Sequence, residues 1–475
     1  MIKVFQNFST YLLATVFISF FLAGCSNSYI EDVKRGGDYA YQPGFPELRI
    51  EIAGFITPEG QSKIKIAGTI PHNSLIFKQR DGELIADVSL LFEIRNTTVD
   101  QVRSSTFEID VTKDLNTSVF SNDLYMFERE FDAQPGEYIV AVSATDKSSK
   151  KSTVRKAEAF IPNTNNNVTN ITNIRLLSKH EDNSRGFFPV TTYDVSSAAD
   201  SLRFEFQVTN SDPEKSINFQ ARLLKFNADT TVGLPMSFTN PSASSIEHKG
   251  IDYRDFEIIQ STQRQINRPG NVTVEFVFKN LDRGNYRFEV GTALPEKGPL
   301  YKARDFSIKS ENYPSVKTPR ELAAPLVYLM KDKDHEKMMA IQSDDSLKAA
   351  IDRFWLENIQ NAALAKNVIS LYYQRVEEAN KLFSNFKEGW KTDRGMIYIL
   401  FGPPLDTYQR LRTVRWSYKF NEEDPEYTYY FRSSKTKTDF YPFDHYVLQR
   451  NNMYFRIEYR IRELWLSGNI ISRNI

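Results

Sequence analysis

The sequence predicts a multidomain, β-rich protein, in which two tandem β-sandwich modules of immunoglobulin-like type precede a C-terminal α+β domain. Aromatic residues are plentiful, with 35 Phe and 24 Tyr among 475 residues, and large flat side chains favour the half-buried faces of strands. Short segments in which apolar and polar residues alternate continue to about residue 308, and this period of two is typical of strands. After Tyr313 the apolar residues recur every three or four positions, which indicates helices.

The overall composition excludes some classes of partner. Hydrophobic residues make up 41% of the chain and charged residues 25%, as in ordinary globular proteins and unlike disordered ones. Lys and Arg together number 60, and so do Asp and Glu, so the formal net charge is zero. Without a global field to hold a polyanion, we expect no nucleic acid partner.

The N-terminus has the pattern of an export signal. Residues 1–24 contain Lys3 and the apolar segment YLLATVFISFFLA, which is shorter than the roughly 20 residues that a membrane span needs. The sequence LAGC at residues 22–25 resembles the lipobox of bacterial lipoproteins. The resemblance implies that Cys25, the only cysteine, is the lipidated mature N-terminus and carries acyl chains such as palmitate, which would anchor it stably. An inert buried cysteine is the alternative.

The lipobox also bears on localisation and on the segment that follows it. In the sorting scheme of enteric bacteria, Ser26 after the cysteine implies the outer membrane, with the leaflet left open. Residues 25–45 are polar, include paired glycines and show no apolar period, which predicts a tether between the lipid and the first module.

The two regions with strand patterns, residues 46–162 and 171–310, share a feature near their ends. Tyr138 in PGEYIVAV and Tyr286 in RGNYRFEV lie 148 residues apart (286 minus 138), and a segment of the form Ala-x-x-Phe follows each. This repeat predicts two similar sandwich modules. A tyrosine after a turn glycine resembles the tyrosine corner of immunoglobulin-like sandwiches, in which the hydroxyl bonds to backbone.

The C-terminal part is predicted as a linker, residues 311–342, and a domain, residues 343–475. Leu347, Ile351 and Trp355 fall on one helical face after a capping Ser343 or Asp344, and a second helix with the same period follows to form a helical hairpin. An antiparallel meander is expected beyond it. Its predicted strands are RWSYKF, YTYYFR, HYVLQR and MYFRIEYRI.

The segment KEGWKTDRGMIYILFGPP begins at Lys387 and contains a recognisable motif. Gly389, Trp390, Thr392 and Asp393 resemble the motif that names the GWxTD domain family of exported bacterial proteins. The segments FW, YYQRVEEAN and WSY elsewhere in residues 343–466 resemble further parts of that family. The resemblance implies an exported protein and a shape, and it implies no activity. An acid commonly follows the second proline in the family, and here Leu405 intervenes.

The residues of the motif are predicted to frame a short helix. Thr392 or Asp393 can cap its start. Gly402 as a left-handed C-terminal cap, followed by two prolines, can end it. A buried strand is the alternative for the apolar run between them. Trp390 would act as an apolar anchor against the preceding helix. The candidate motif residues, structural or partner-binding in role, are Gly389, Trp390, Thr392, Asp393, Arg394, Gly402, Pro403 and Pro404.

Known signatures of catalysis and of cofactor binding do not occur in the sequence. The five histidines show no ligand spacing, and neither G-x-S-x-G nor a phosphate-binding glycine loop is found. Acid/base work by the motif would also require a tuned pKa and a cleft. We therefore expect no metal, no cofactor and no enzymatic activity.

The first functional hypothesis is a lipid-anchored cell-envelope protein with a non-enzymatic binding or scaffolding role. It is held at the membrane by the lipid on Cys25, and its partner is an envelope protein or a glycan. One alternative is a hydrolase or transferase acting on envelope polymers, with Glu388 and Asp393 as its carboxylates. Another is a subunit of a secretion, motility or transport assembly. A deep acidic cleft around both carboxylates would favour the enzyme, and a buried Asp393 bonded only to backbone would count against it.

Overall fold

The computed structural model describes residues 29–31, 44–80, 82–114, 123–163, 169–180, 186–210, 216–239, 250–267, 269–292, 294, 300–410, 412–419, 425–433 and 445–473. The predicted signal peptide, Cys25 and most of the predicted tether lie outside these residues. Within them, no helix combines the length and the apolar character that crossing a membrane requires.

The described part of the chain is β-rich as far as residue 309, and helices dominate after it. The early strands are β1 (Tyr29–Glu31), β2 (Arg49–Ile56), β3 (Ser62–Pro71), β4 (Lys78–Arg80), β5 (Glu83–Asn96), β6 (Gln101–Lys113), β7 (Leu124–Asp132), β8 (Gly136–Asp146) and β9 (Lys151–Ile161). They are followed by β10 (Asn170–Ile171), β11 (Arg175–His180), β12 (Phe188–Pro189), β13 (Asp194–Ser196), β14 (Ala199–Asn210), β15 (Ile217–Ala228), β16 (Ile251–Ile266), β17 (Gly270–Lys279), β18 (Gly284–Gly291) and β19 (Lys302–Lys309).

Strands β2 to β9 form two sheets that enclose one hydrophobic cluster. One sheet has the order β2-β3-β7, and in the other β5 lies between β6 and β8, with β9 beyond β8. The inward residues of both sheets, among them Ile64, Phe92 and Val140, are fully buried in this cluster. We call these two sheets the first sheet pair.

Strands β10 to β19 form a second sheet pair with the same connectivity. In one sheet β14 lies between β11 and β17, and in the other β15 lies between β16 and β18, with β19 beyond β18. Strand β1, inside the predicted tether, runs parallel to β19. Phe204, Phe288 and Phe306 are fully buried between the sheets, and the ring centroids of Phe204 and Phe288 are 4.5 Å apart.

The two repeated tyrosines lie on corresponding strands, β8 and β18. The hydroxyl of Tyr138 donates a hydrogen bond to the carbonyl of Gln134 at 2.7 Å. The hydroxyl of Tyr286 donates in the same way to the carbonyl of Asp282, also at 2.7 Å. Each tyrosine thus ties its strand to the turn four residues earlier, which is the structural role expected from the sequence.

The C-terminal region packs helices against one antiparallel sheet. Its helices are α1 (Pro319–Ala323), α2 (Asp332–Met339), α3 (Asp344–Ile359), α4 (Ala362–Phe383), α5 (Asp393–Phe401) and α6 (Tyr454–Leu466), and its strands are β20 (Asp406–Arg410), β21 (Thr413–Tyr418), β22 (Tyr427–Ser433) and β23 (Tyr446–Leu448). The strands pair in chain order, which confirms the meander. Helices α3 and α4 confirm the two predicted helices, with Ser343 capping the first and the rings of Trp355 and Tyr372 5.6 Å apart.

The prediction of a linker at residues 311–342 is wrong. Thr318 and Glu321 form a reciprocal capping box that starts α1, and a short 3-10 helix then leads on toward α2. Leu326, Leu329 and Met338 from this segment are buried in the C-terminal hydrophobic cluster. The segment folds because its apolar residues belong to the core of the C-terminal region.

The last predicted strand, MYFRIEYRI, is also wrong, because these residues lie in and next to α6. Ile461 and Trp465, spaced by four, are buried against the other helices, while Phe455 and Tyr459 on the opposite side are 65% and 62% exposed. Alternation over a few residues therefore hid a helical period that the buried residues follow.

Candidate functional site

The segment with the GWxTD sequence lies at the junction between the second sheet pair and the C-terminal region. Residues 385 and 386, just before this segment, dock on the second sheet pair through polar contacts. Asn285 donates a side-chain hydrogen bond to the carbonyl of Phe386 at 2.9 Å, and the ammonium of Lys309 donates to the carbonyl of Asn385 at 2.7 Å. Phe386 is 1% exposed and packs into a cluster on the outer face of the sheet.

Glu388 links the two regions electrostatically. Its side chain is 6% exposed and pairs with Arg283, and Oε1 also accepts from the backbone N-H of Ser310 at 3.2 Å. The other oxygen accepts from the indole N-H of Trp390 at 3.0 Å and lies 3.1 Å from the ammonium of Lys391. Burial opposes ionisation, but the neighbouring cations outweigh it and lower the pKa of Glu388 to about 2.

The first two residues of the motif fit against the end of α4. A Cβ on Gly389 would come within 1.9 Å of the carbonyl oxygen of Ala379, so only glycine permits this approach. The backbone N-H of Trp390 donates to the side chain of Asn380 at 3.2 Å, and its indole is 6.3 Å from the ring of Tyr328. Trp390 is 6% exposed, which agrees with the predicted role as an anchor.

Thr392 is the residue that starts α5, and the predicted helix for the apolar run is confirmed. The hydroxyl of Thr392 accepts from the backbone N-H of Gly395 at 3.0 Å and donates to the carbonyl of Gly389 at 2.8 Å. Asp393, the other capping candidate, is the first residue inside the helix. The hydroxyl therefore satisfies a free backbone group at the helix start and holds the preceding turn.

Asp393 makes an ion pair with a residue that the sequence did not single out. Its two oxygens accept from the guanidinium of Arg450 at 2.7 and 2.9 Å, and one also accepts from the backbone N-H of Leu448 at 2.7 Å. The side chains of Arg450 and Asp393 are 6% and 9% exposed. Arg450 further donates to the carbonyls of Leu234 and Pro235, so this pair also joins the second sheet pair to the C-terminal region.

The remaining motif residues pack on rings or end the helix. The guanidinium of Arg394 lies 5.2 and 4.6 Å from the ring centroids of Phe383 and Tyr446. Gly402 has φ of +84° and ψ of −163°, so it has the predicted positive φ but is not left-handed helical. Pro403 is exposed and Pro404 half-buried, and they occupy the turn between α5 and β20.

Arg375 closes the C-terminal end of α5. It is 3% exposed and donates to the carbonyls of Ile399 at 3.2 Å and Leu400 at 3.4 Å. Burial lowers its pKa to about 10. A cation at the end of a helix complements the negative end of the helix dipole, and the missing side chain of Gly402 leaves room for the guanidinium.

A cavity of about 260 Å³ lies next to the motif but does not include its carboxylates. It is lined by the loop at Gly233 and by residues such as Tyr328, His335, Glu336 and Glu458. Neither Glu388 nor Asp393 lines it. Within the described residues, no three His, Cys, Asp or Glu side chains are arranged to hold a metal ion. The two carboxylates are themselves buried and serve as partners of cations, of which Arg450 is buried and Arg283 is about half exposed.

The sequence pattern located most of this junction, but the structure supplies its partners. Trp390, Thr392, Gly402 and the helix between them are where the motif predicts them. Arg283, Arg450 and Tyr328, whose hydroxyl donates to the carbonyl of Trp390 at 2.7 Å, were not identified. They lie about 60 to 105 residues from the motif positions that they contact, and no local pattern marks such pairs.

Comparison with known proteins identifies one region of the chain. Residues 294–467 match the family model of the GWxTD domain, and no curated protein matches the chain. Solved structures with some similarity include red sea bream transglutaminase, at 9% identity over 55% of this chain and 31% of that chain, with a TM-score of 0.18. Another is the native conformation of E. coli alpha-2-macroglobulin, at 15% identity over 55% of this chain and 16% of that chain, also with a TM-score of 0.18. The chain spans less than a third of the length of either protein, and neither likeness carries an argument here.

Proposed function

Because residues 294–467 are a GWxTD domain, we propose that the chain is a lipid-anchored cell-envelope protein with a non-enzymatic binding or scaffolding role. In this proposal the two sheet pairs are immunoglobulin-like sandwich modules, Cys25 carries the lipid, and the outer membrane is the site of attachment. The partner is an envelope protein or a glycan. The GWxTD motif fixes the C-terminal domain on the second module.

The observation that carries this proposal is that two buried carboxylates, Glu388 and Asp393, both hold cations at the junction. Glu388 holds Arg283, and Asp393 holds Arg450, with each acidic side chain less than a tenth exposed. A pKa of about 2 keeps Glu388 ionised at neutral pH, whereas a general acid or base works best with a pKa near the working pH. The arrangement suits a rigid body that presents surfaces to a partner.

Membrane fractionation in the native host tests the anchor. We expect the wild-type chain in the membrane fraction and the exported Cys25→Ser chain in the soluble fraction, because acyl chains supply the stable attachment. Recovery of Cys25→Ser in membranes after a high-salt wash would contradict attachment through the lipid.

A second measurement separates scaffold from enzyme. The hydrolase or transferase alternative requires Glu388 or Asp393 to react. In that case a chain with one of these residues replaced would lose function even if its stability in urea equals that of the wild type. For a scaffold, loss of function follows loss of stability. If Glu388→Gln unfolds like the parent and yet reproduces the phenotype of a gene deletion, the enzyme replaces the scaffold as the proposed function.

A further inference from the structure

The sheet of the C-terminal region has one face turned away from the helices, and arginine and tyrosine side chains dominate it. Trp416 and Phe431 point to the other face, where they are buried and Trp416 packs on Phe383 of α4. The residues that alternate with them lie on the open face. We define the arginine face as Tyr408, Arg410, Arg412, Arg415, Tyr430 and Arg432, where Arg412 belongs to the turn between β20 and β21.

The register of the strands brings these side chains into two rows. In one row Tyr408 lies opposite Arg415, which lies opposite Tyr430. In the next row Arg410 lies opposite Thr413, which lies opposite Arg432. Since neighbouring strands are about 4.8 Å apart, Arg410 and Arg432 are separated by roughly 10 Å, and so are the two tyrosines.

Among the described residues of this face, basic side chains outnumber acidic ones. Asp406 is the one acidic residue in the four strands, and it pairs with Arg415 at 2.9 Å. Arg410, Arg412 and Arg432 are exposed, and none of them makes an ion pair with a described residue. An anion placed between Arg410 and Arg432 would meet two cations at once, and guanidinium groups match carboxylates geometrically.

The two tyrosines add exposed aromatic surface to the arginine face. Tyr408 is 48% exposed and Tyr430 42% exposed, so each presents a ring surface to solvent. The guanidinium groups of Arg410 and Arg415 lie 5.3 and 5.6 Å from the ring centroid of Tyr408. Exposed aromatic rings accept the C-H faces of pyranose sugars, and a spacing of two strands is close to the length of a disaccharide.

We propose that the arginine face binds an acidic polysaccharide, with its carboxylates on Arg410, Arg412 and Arg432 and its sugar rings on Tyr408 and Tyr430. This rests on the proposed function and names its partner class. The arginine face attracts an anionic polymer only at short range. The whole chain has no net charge, and at 0.1 M salt screening confines the field of exposed charges to about 10 Å.

Binding of the full chain to four polymers tests the proposal. Polygalacturonate offers carboxylates on pyranose rings, poly-L-glutamate offers carboxylates alone, dextran offers uncharged pyranose rings, and oligodeoxythymidylate offers phosphates with bases. We expect polygalacturonate to bind most tightly and to weaken as salt is raised from 0.1 to 1 M. Equal binding of poly-L-glutamate, equal binding of dextran, or tighter binding of oligodeoxythymidylate would each overturn the proposal.

Substitutions identify the surface. Arg410→Gln together with Arg432→Gln should weaken polygalacturonate binding by roughly tenfold or more, because charge-assisted hydrogen bonds are lost, and Tyr430→Ser should weaken it further. The matched controls are Arg103→Gln, an exposed arginine of β6, and Tyr459→Ser, an exposed tyrosine of α6. If the controls lower the affinity as much as the substitutions on the arginine face, the proposal is refuted.

The outcomes separate this inference from the proposed function. If the chain is anchored in the envelope but does not bind polygalacturonate, the inference fails and the anchored scaffold stands. If the chain binds polygalacturonate through Arg410 and Arg432 but is absent from the envelope, the binding face stands and the proposed function fails.

Discussion

Replacement of Asp393 by asparagine should destabilise the C-terminal region more than replacement of Thr392 by alanine. Asp393 holds Arg450 in a buried pair whose side chains are 9% and 6% exposed. Breaking such a pair leaves an unpaired buried charge and costs about 3 to 5 kcal/mol. Asparagine can still accept the hydrogen bond from Leu448, so we expect about 3 kcal/mol. Loss of the cap in Thr392→Ala costs about 0.5 to 2 kcal/mol.

Urea unfolding of the full chain, followed by tryptophan fluorescence, measures this difference. The four tryptophans, Trp355, Trp390, Trp416 and Trp465, all lie in the C-terminal region and are at most 6% exposed, so the signal reports on that region. With a slope of about 1 to 3 kcal/mol per molar urea, a loss of 3 kcal/mol lowers the midpoint by about 1 M or more.

A double-mutant cycle with Arg450→Met shows whether the pair is the cause. Arg450→Met alone leaves Asp393 unpaired, so the two single changes should cost more in sum than the double change, with a coupling of about 0.5 to 3 kcal/mol. The reasoning is refuted if Asp393→Asn unfolds at the parental midpoint, or if the two changes are additive.

Three further predictions concern the glycines, the histidines and the repeated tyrosines. Gly402→Ala should lower the free energy of unfolding, measured in urea, clearly more than Gly60→Ala. Both glycines have φ of +84°, but a Cβ on Gly402 would lie 2.7 Å from the guanidinium of Arg375, while nothing lies within 4 Å of a Cβ on Gly60. Equal losses would show that Arg375 moves freely aside. Burial lowers the pKa of His445 from 6.5 to about 4, so the unfolded chain binds a proton that the folded chain excludes, and stability should fall by about 3 kcal/mol as the pH drops from 6.5 to 4. His445→Gln should flatten that pH dependence and His180→Gln should leave it unchanged; an identical pH profile for His445→Gln and the parent would contradict the assignment. Tyr138→Phe and Tyr286→Phe should each cost about 0.5 to 1.5 kcal/mol, and a cost in only one of them would show that the two hydrogen bonds are not equivalent.

Much of the local structure of this protein follows from its sequence alone. Alternation predicted the strands before residue 310, a period of three to four predicted α3 and α4, and the run from Thr392 to Gly402 predicted α5 with both its ends. These features are legible because they depend on neighbours within one or two turns, or on alternate residues of a strand. The sequence analysis did not predict the helices at residues 319–339 or α6. Their buried residues can be recognised only from the core that these helices help to form.

The role of the motif depends on contacts that form only in the folded chain. The sequence left Thr392 and Asp393 as alternative caps of α5, whereas the fold assigns the cap to Thr392 and pairs Asp393 with Arg450. Gly389 is required by the backbone of Ala379, and Glu388 by Arg283. Both charge pairs join residues that are distant along the chain. A buried charge needs a counter-charge, and the fold decides which distant residue supplies it. The local sequence pattern around the buried charge does not identify that residue.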